Sequence, residues 1–180
     1  MHPDVKEILL SEEQIALKVK ELGQRISEDY YGKEILMVGI LKGSLVFMAD
    51  LIRQVTVPVT IDFMAISSYG KASKSSGVVQ ILKDLDQNIE GKHVLVVEDI
   101  VDSGLTLKYM LENLSTRKPA SIKICTFLDK PSRRKAEVVT DYNGFTIPDK
   151  FVVGYGLDYA ERYRNLKDIS VLKPEVYTKS

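Results

Sequence analysis

Apolar positions along the chain switch between two spacings, and the switches predict alternating helices and strands. In "SEEQIALKVKELGQRI", residues 11–26, Ile15, Val19, Leu22 and Ile26 recur on one helical face. Ser11 can cap that helix, Gln14 can reach back to complete a capping box, and acids fill the first turn. "EILMVGI", residues 34–40, is a nearly unbroken apolar run, as in a strand covered on both faces. Phe47, Met48, Leu51, Ile52 and Val55 then return to helical spacing. "VPVTIDFMAIS" is rich in β-branched and aromatic residues and predicts a strand. "SYGKASKSSG", residues 68–77, is too poor in apolar residues to pack a core and predicts a loop or hairpin tip, with a strand resuming at "VVQIL".

"KHVLVVED" predicts another buried strand, followed by a helix whose Leu107, Met110, Leu111 and Leu114 share a face. "SIKICTFLD" and "KFVVGYGLD" predict two more strands. Strands alternating with helices indicate a parallel, doubly wound α/β sheet. No repeat or linker divides the chain, so a single domain over residues 1–180 is expected. Ligands of such sheets bind beyond the carboxyl ends of the strands. "GILKGS", "VEDIVDSGLT", "FLDK" and "GYGLDY" each follow a predicted strand, so folding should gather all four on one rim.

Composition changes this picture mainly by exclusion. Lys plus Arg, 25, equals Asp plus Glu, 25, so the basic excess of a general nucleic-acid or membrane binder is missing. Cys125 is the single cysteine and there are two histidines, which rules out an internal disulfide and a Cys-based zinc site. The start "MHPDVKEILL" lacks a secretory pattern and no apolar run reaches spanning length. A soluble cytoplasmic protein is expected.

The richest chemistry lies in "VLVVEDIVDSGLTL", residues 94–107. Glu98, Asp99 and Asp102 crowd three acids against the turn Ser103, Gly104, Leu105, Thr106. A tight turn opening a helix offers N–H groups and partial positive charge to a phosphate, although "DSGLT" alone reads equally as a helix cap with a turn glycine. It is not a Walker A loop, whose spacing and lysine are absent. Glu98 and Asp99 are oxygen donors suited to a sugar diol or a hydrated divalent cation. A phosphorylated sugar with a bound cation reconciles the acids with the anion turn.

The stretch resembles the phosphoribosyl-diphosphate (PRPP) signature of type I phosphoribosyltransferases. "GILKGSLVFMADL", "SSYG", "FLDKPSRR" and "DKFVVGYGLDYAERYRNL" extend the resemblance over nearly the whole chain to the hypoxanthine-guanine phosphoribosyltransferases of the short bacterial type. The resemblance implies a mainly parallel sheet flanked by helices, with a small hood built from chain-terminal segments. It also implies transfer of ribose 5-phosphate from PRPP to N9 of hypoxanthine or guanine, with Mg2+, giving IMP or GMP and pyrophosphate. Glu98 and Asp99 would contact the ribose hydroxyls and the magnesium shell, and Asp102 to Thr106 the 5′-phosphate, with Asp102 also facing the purine imidazole as general base or as a hydrogen-bond partner that stabilises charge there. Lys42 and Gly43, after a cis Leu41–Lys42 peptide, would present backbone amides to the pyrophosphate, and the Arg164 guanidinium would bind it.

By the same resemblance Lys130 would select the purine 6-oxo group, Phe151 would stack on the base and the Val152 carbonyl would accept from it. Asp158 would ligate a second magnesium beside the purine and pyrophosphate. Ser68 and Tyr69 would open a mobile loop over the site. A homodimer or homotetramer acting on small molecules, without nucleic acid or membrane, is the implied assembly. The alternative is a regulatory or RNA-binding PRPP sensor on the same fold. Such a protein should have lost acids or gained a basic face, whereas Asp102, Lys130, Asp158 and Arg164 are all in place.

Overall fold

The computed structural model describes residues 1–68 and 79–178, and counts of strands and helices refer to these. The chain opens with strand β1 (Val5–Leu10), which the apolar pattern did not single out, and helix α1 (Glu12–Asp29). The expected capping box starts α1: Ser11 Oγ accepts from the Gln14 amide and Gln14 Oε1 accepts from the Ser11 amide at 2.9 Å. Its Ile15, Val19, Leu22 and Ile26 are buried. Then follow β2 (Ile35–Leu41), α2 (Leu45–Ile52), β3 (Val59–Ser68), β4 (Val79–Lys83), β5 (His93–Val101), α3 (Leu105–Ser115) and β6 (Ser121–Asp129). The chain ends with β7 (Tyr142–Thr146), β8 (Val152–Val153), β9 (Ile169–Leu172) and the short α4 (Pro174–Tyr177).

The main sheet has the order β4-β3-β2-β5-β6-β7, parallel throughout except for the β3–β4 pair. Alternate residues of its central strands face opposite sides. Met37, Leu95, Val97, Cys125 and Phe127 pack with α1 and α2. Leu36, Val38, Val94, Val96 and Ile124 pack with Leu107, Met110 and Leu114 of α3. Helices on both faces make every central strand continuously apolar, which is why β2, β5 and β6 were legible as buried strands. Among the described residues no helix is long and apolar enough to cross a membrane.

One expected strand is corrected. Of "KFVVGYGLD" only Val152 and Val153 are extended, and they pair antiparallel with β9 in a separate β1-β9-β8 sheet. Positive φ at Gly154, Tyr155 and Gly156 turns the chain immediately afterwards. Strands β7 and β9 also escaped notice; both are short, and β7 carries Gly144 in its interior. The small sheet joins the two ends of the chain as the expected hood. It is tied down by Glu12 N–H to Asp168 Oδ1 at 2.8 Å, Tyr163 O–H to Asp4 at 2.7 Å and Tyr155 O–H to Asp50 at 2.6 Å.

Phe127 connects these layers. Its fully buried ring lies 5.0 Å from Phe47, 5.7 Å from Phe145 and 4.9 Å from Tyr155. Phe127→Ala is expected to lower the unfolding free energy by about 3–5 kcal/mol. Urea titration should show it as a lower midpoint at unchanged slope.

Candidate functional site

The sheet order reverses direction at β2 and β5, and there the two strands part. Their pairing ends at Gly39 opposite Val97, although β2 runs on to Leu41 and β5 to Val101. The crevice between the diverging ends is the place where doubly wound sheets bind ligands. Glu98 and Asp99 therefore lie in the last residues of β5 rather than in a loop after it.

Glu98 is buried. Burial, reinforced by the neighbouring Asp99 carboxylate, pushes its pKa well above the usual carboxylate range. Burial also pushes Asp99 up, against the opposing hydrogen bond that its Oδ1 accepts from the Ile100 amide at 2.7 Å. Asp99 lies hard against the turn after β2, because a Cβ on Gly43 would stand 1.8 Å from Asp99 Oδ2. Only glycine brings the backbone that close. The Leu41–Lys42 peptide before it is cis.

Beyond β5 the chain makes the turn expected to hold an anion. Gly104 caps α3 with φ +81, and no side chain caps that helix. Asp102 is therefore not the cap, and its Oδ1 instead pairs with Arg133 Nε at 3.0 Å. The turn's carbonyl groups are drawn backwards, with Ser103 O accepting from the Lys135 and Ala136 amides at 2.8 and 3.1 Å. Asp102 O accepts from Arg134 Nε at 3.3 Å. The Leu105 N–H donates to Ser103 Oγ at 3.4 Å, a long bond at a helix start of the kind that suits an anion. The turn borders a cavity of about 120 Å³ lined by Glu98, Asp102, Ser103, Gly104 and Thr106 among others.

Arg134 was not singled out from the sequence. Besides holding Asp102 O it pairs with the Asp129 carboxylate and donates to Val138 O. Its Cδ stands 3.0 Å from where a Cβ on Gly104 would be. It thus rivets the anion turn to the end of β6. No pattern in a single sequence separates it from its neighbours Arg133 and Lys135.

The next subsite belongs to Lys130. The residue is buried, its amide donates to Val101 O at 3.0 Å, and its Nζ lies 3.9 Å from Asp149 Oδ1. Phe151 is 41% exposed, stacked on Tyr177 at 5.1 Å and edge-on to Tyr159 at 5.6 Å. Its ring is backed on one side and is not part of a buried strand. Val152 is buried as the first residue of β8.

The hood closes the far side. A Cβ on Gly156, whose φ is +98, would stand 2.3 Å from Gly43 O, so the "GYGLD" turn touches the "LKG" turn. Arg164 donates to Gly156 O at 2.7 Å and pairs with Asp158 at 3.3 Å. Lys42 Nζ lies 3.1 Å from Glu161 Oε2, which holds the Glu161 carboxyl below its usual range. Asp158 is thereby committed to Arg164 and to the Glu161 amide, at 2.9 Å. Among the described residues no group of three or more acidic, histidine or cysteine side chains is placed to hold a metal. Glu98, Asp99 and Asp158 are thus not one protein-made cage. Two close carboxyls whose joint ionisation is opposed still suit magnesium, which takes one or two carboxylates and completes its shell with water and phosphate oxygens. Ser68 ends β3, and Tyr69 lies outside the described residues.

This arrangement matches known proteins closely. Residues 5–160 match the phosphoribosyl transferase domain family. The chain is 56% identical over 177 residues to the hypoxanthine-guanine phosphoribosyltransferase of Bacillus subtilis, covering 98% of each chain. The structure is similar to that of a hypoxanthine phosphoribosyltransferase from Staphylococcus aureus, with TM-score 0.95 and 55% identity over 98% of this chain and 96% of that one. The hypoxanthine phosphoribosyl transferase of Trypanosoma cruzi gives TM-score 0.94 at 44% identity, over 99% of this chain and 97% of that one.

Two outcomes follow from the buried charges. A carboxyl whose folded pKa is raised loses stability as pH climbs above its unfolded value, 4.5 for Glu98. In metal-free buffer Glu98→Gln should therefore withstand more urea than the parent at about pH 7, the gap closing toward about pH 4. Among the described residues, Arg134→Leu leaves the half-buried Asp129 carboxylate only the Asn143 amide at 3.2 Å and is expected to cost about 1–3 kcal/mol, measured by the same titration.

Proposed function

The chain belongs to the phosphoribosyltransferase family, and from that membership we propose that it is a purine-salvage enzyme of the hypoxanthine-guanine type. It transfers the 5-phosphoribosyl group of PRPP to N9 of hypoxanthine or guanine. The C1′–N9 bond forms, the C1′–O bond to diphosphate breaks, and the purine gives up a proton. Products are IMP or GMP and pyrophosphate. One domain carries the activity across residues 1–180, since the two ends of the chain meet in the hood.

The observation that carries this reading is the link between the end of β6 and the end of β5. The Lys130 amide bound to Val101 O at 3.0 Å sets a buried lysine beside the start of the anion turn. A ribose 5-phosphate seated on Ser103, Gly104, Leu105 and Thr106 then presents its C1′ along Glu98 and Asp99, which hold the hydroxyls. The Lys130 ammonium donates to the purine 6-oxo oxygen. Adenine offers an amino donor there, leaving two donors face to face. Phe151 stacks on the base, the Val152 carbonyl accepts from it, and Asp158 lies at the same end of the site.

Asp102 accepts the imidazole proton of the purine as the new bond forms, after exchanging its Arg133 partner for the base. Lys42, Gly43 and Arg164 receive the diphosphate, on which negative charge grows as the ribose becomes oxocarbenium-like. Glu98 and Asp99 would hold one magnesium and Asp158 a second, and the metal would supply shielding of those oxygens. Ser68 and Tyr69 begin a loop that closes over the site and excludes water. The enzyme acts as a homodimer or homotetramer; the T. cruzi relative's structure was determined in work on its oligomeric state. A cytoplasmic setting suits phosphorylated substrates, which membranes retain.

Incubation with PRPP and magnesium should yield IMP from hypoxanthine and GMP from guanine, but no AMP from adenine. Failure with both oxopurines would overturn the assignment. Asp102→Asn should lower kcat by about 10²–10⁴-fold while PRPP binding survives. Unchanged turnover would remove Asp102 from the proton transfer.

A further inference from the structure

One carboxylate bridges two cations, Lys42 and Arg164, at the place assigned to the diphosphate. Glu161 Oε2 lies 3.1 Å from Lys42 Nζ, and Glu161 Oε1 lies 3.4 Å from Arg164 Nη2. One anionic oxygen on each cation is how a diphosphate would engage the same pair. Arg164 does not depend on this contact for its position. Its Nη1 is fixed by Gly156 O at 2.7 Å and its Nη2 also pairs with Asp158 at 3.3 Å. Lys42 directly follows β2, which is paired along its length with β3. The Glu161 bridge is therefore the exchangeable member of the set.

The stem of Glu161, by contrast, is held in place. Its amide donates to Asp158 Oδ2 at 2.9 Å, and its φ of +63 follows Ala160 at +51. This left-handed pair of residues points the side chain back across the "LKG" turn. The side chain remains 65% exposed, so water and dissolved anions reach the bridge. A carboxylate presented on a fixed stem, facing two cations and open to exchange, competes with whatever anion those cations serve.

We infer that Glu161 is a built-in stand-in for diphosphate: it occupies Lys42 and Arg164 in the empty site and is displaced when a diphosphate group binds. The inference rests on the assignment of Lys42 and Arg164 to the diphosphate. Its functional effect is to weaken the hold on released pyrophosphate, and with it product inhibition. The same competition weakens the donor substrate, which carries its diphosphate to the same cations. Exposed ion pairs are modest contributors, so the effect is about two- to fivefold in affinity. It should be strongest at low ionic strength, since screening between exposed charges sets in over about 10 Å at 0.1 M salt.

The test measures inhibition by inorganic pyrophosphate against PRPP in the full-length parent, Glu161→Gln and Arg164→Gln. Glu161→Gln should lower the pyrophosphate inhibition constant two- to fivefold, the gain shrinking as salt is raised. Its affinity for IMP, which has no diphosphate, should stay unchanged. A gain in affinity is not something that damage to the fold produces. Unchanged or weaker pyrophosphate binding in Glu161→Gln overturns the inference, as does equal tightening of IMP. Arg164→Gln separates the two levels. If it weakens pyrophosphate binding tenfold or more while Glu161→Gln is neutral, only the stand-in role fails. If Arg164→Gln leaves pyrophosphate binding unchanged, the diphosphate assignment fails and the inference with it.

Discussion

The parting of β2 and β5 beyond Gly39 and Val97 is the constraint on which the site depends. Parallel strands held to their ends would bury their terminal residues against each other. Here the last residues of each are released from pairing across the crevice while their outer neighbours keep them extended. On one side β3 pairs with β2 through Leu41, and on the other β6 pairs with β5 through Val101. Glu98, Asp99 and the cis turn at Lys42 are thereby fixed in position at the crevice between the two strand ends. A cavity is made without a flexible wall.

That cavity concentrates opposite demands. Burial makes the acids of β5 resist ionisation, and the turn proposed to hold the phosphate follows directly after them. The surrounding network is arranged to keep the parts from collapsing onto one another. Arg134 draws the anion turn toward Asp129, Arg133 occupies Asp102, and Glu161 occupies Lys42 and Arg164. Arg133 and Glu161 are exposed, whereas Arg134 and Asp129 are half-buried.

Glycine marks the places where the rim had to be drawn tight. Gly43 lets the β2 turn lie against Asp99, and Gly156 lets the hood lie against Gly43. These two contacts join the terminal segments of the chain to the centre of the sheet. The hood is consequently part of the site, and the antiparallel pairing of β1 with β9 helps to hold Arg164 where it is.

Much of this was legible beforehand because the signals were local or periodic. The capping box of α1, the apolar runs of β2, β5 and β6 and the face of α3 follow from side-chain spacing alone. The thirteen-residue acid-and-glycine stretch carried its chemistry in residue types, and its resemblance to a known signature extended that to Lys130, Phe151 and Arg164. Short elements were not legible. Strands β1, β7 and β9 lack the length to show a period, and "KFVVGYGLD" looked like a strand because its glycines do not announce positive φ. Tertiary structure alone decided that Asp102 faces Arg133 instead of capping α3, that Lys130 is buried and that Arg134 rivets the anion turn. It also decided that Glu161 spans two cations. Each of those contacts joins residues from different loops, and single-sequence patterns report the neighbours along a chain, not the partners that folding brings across a crevice.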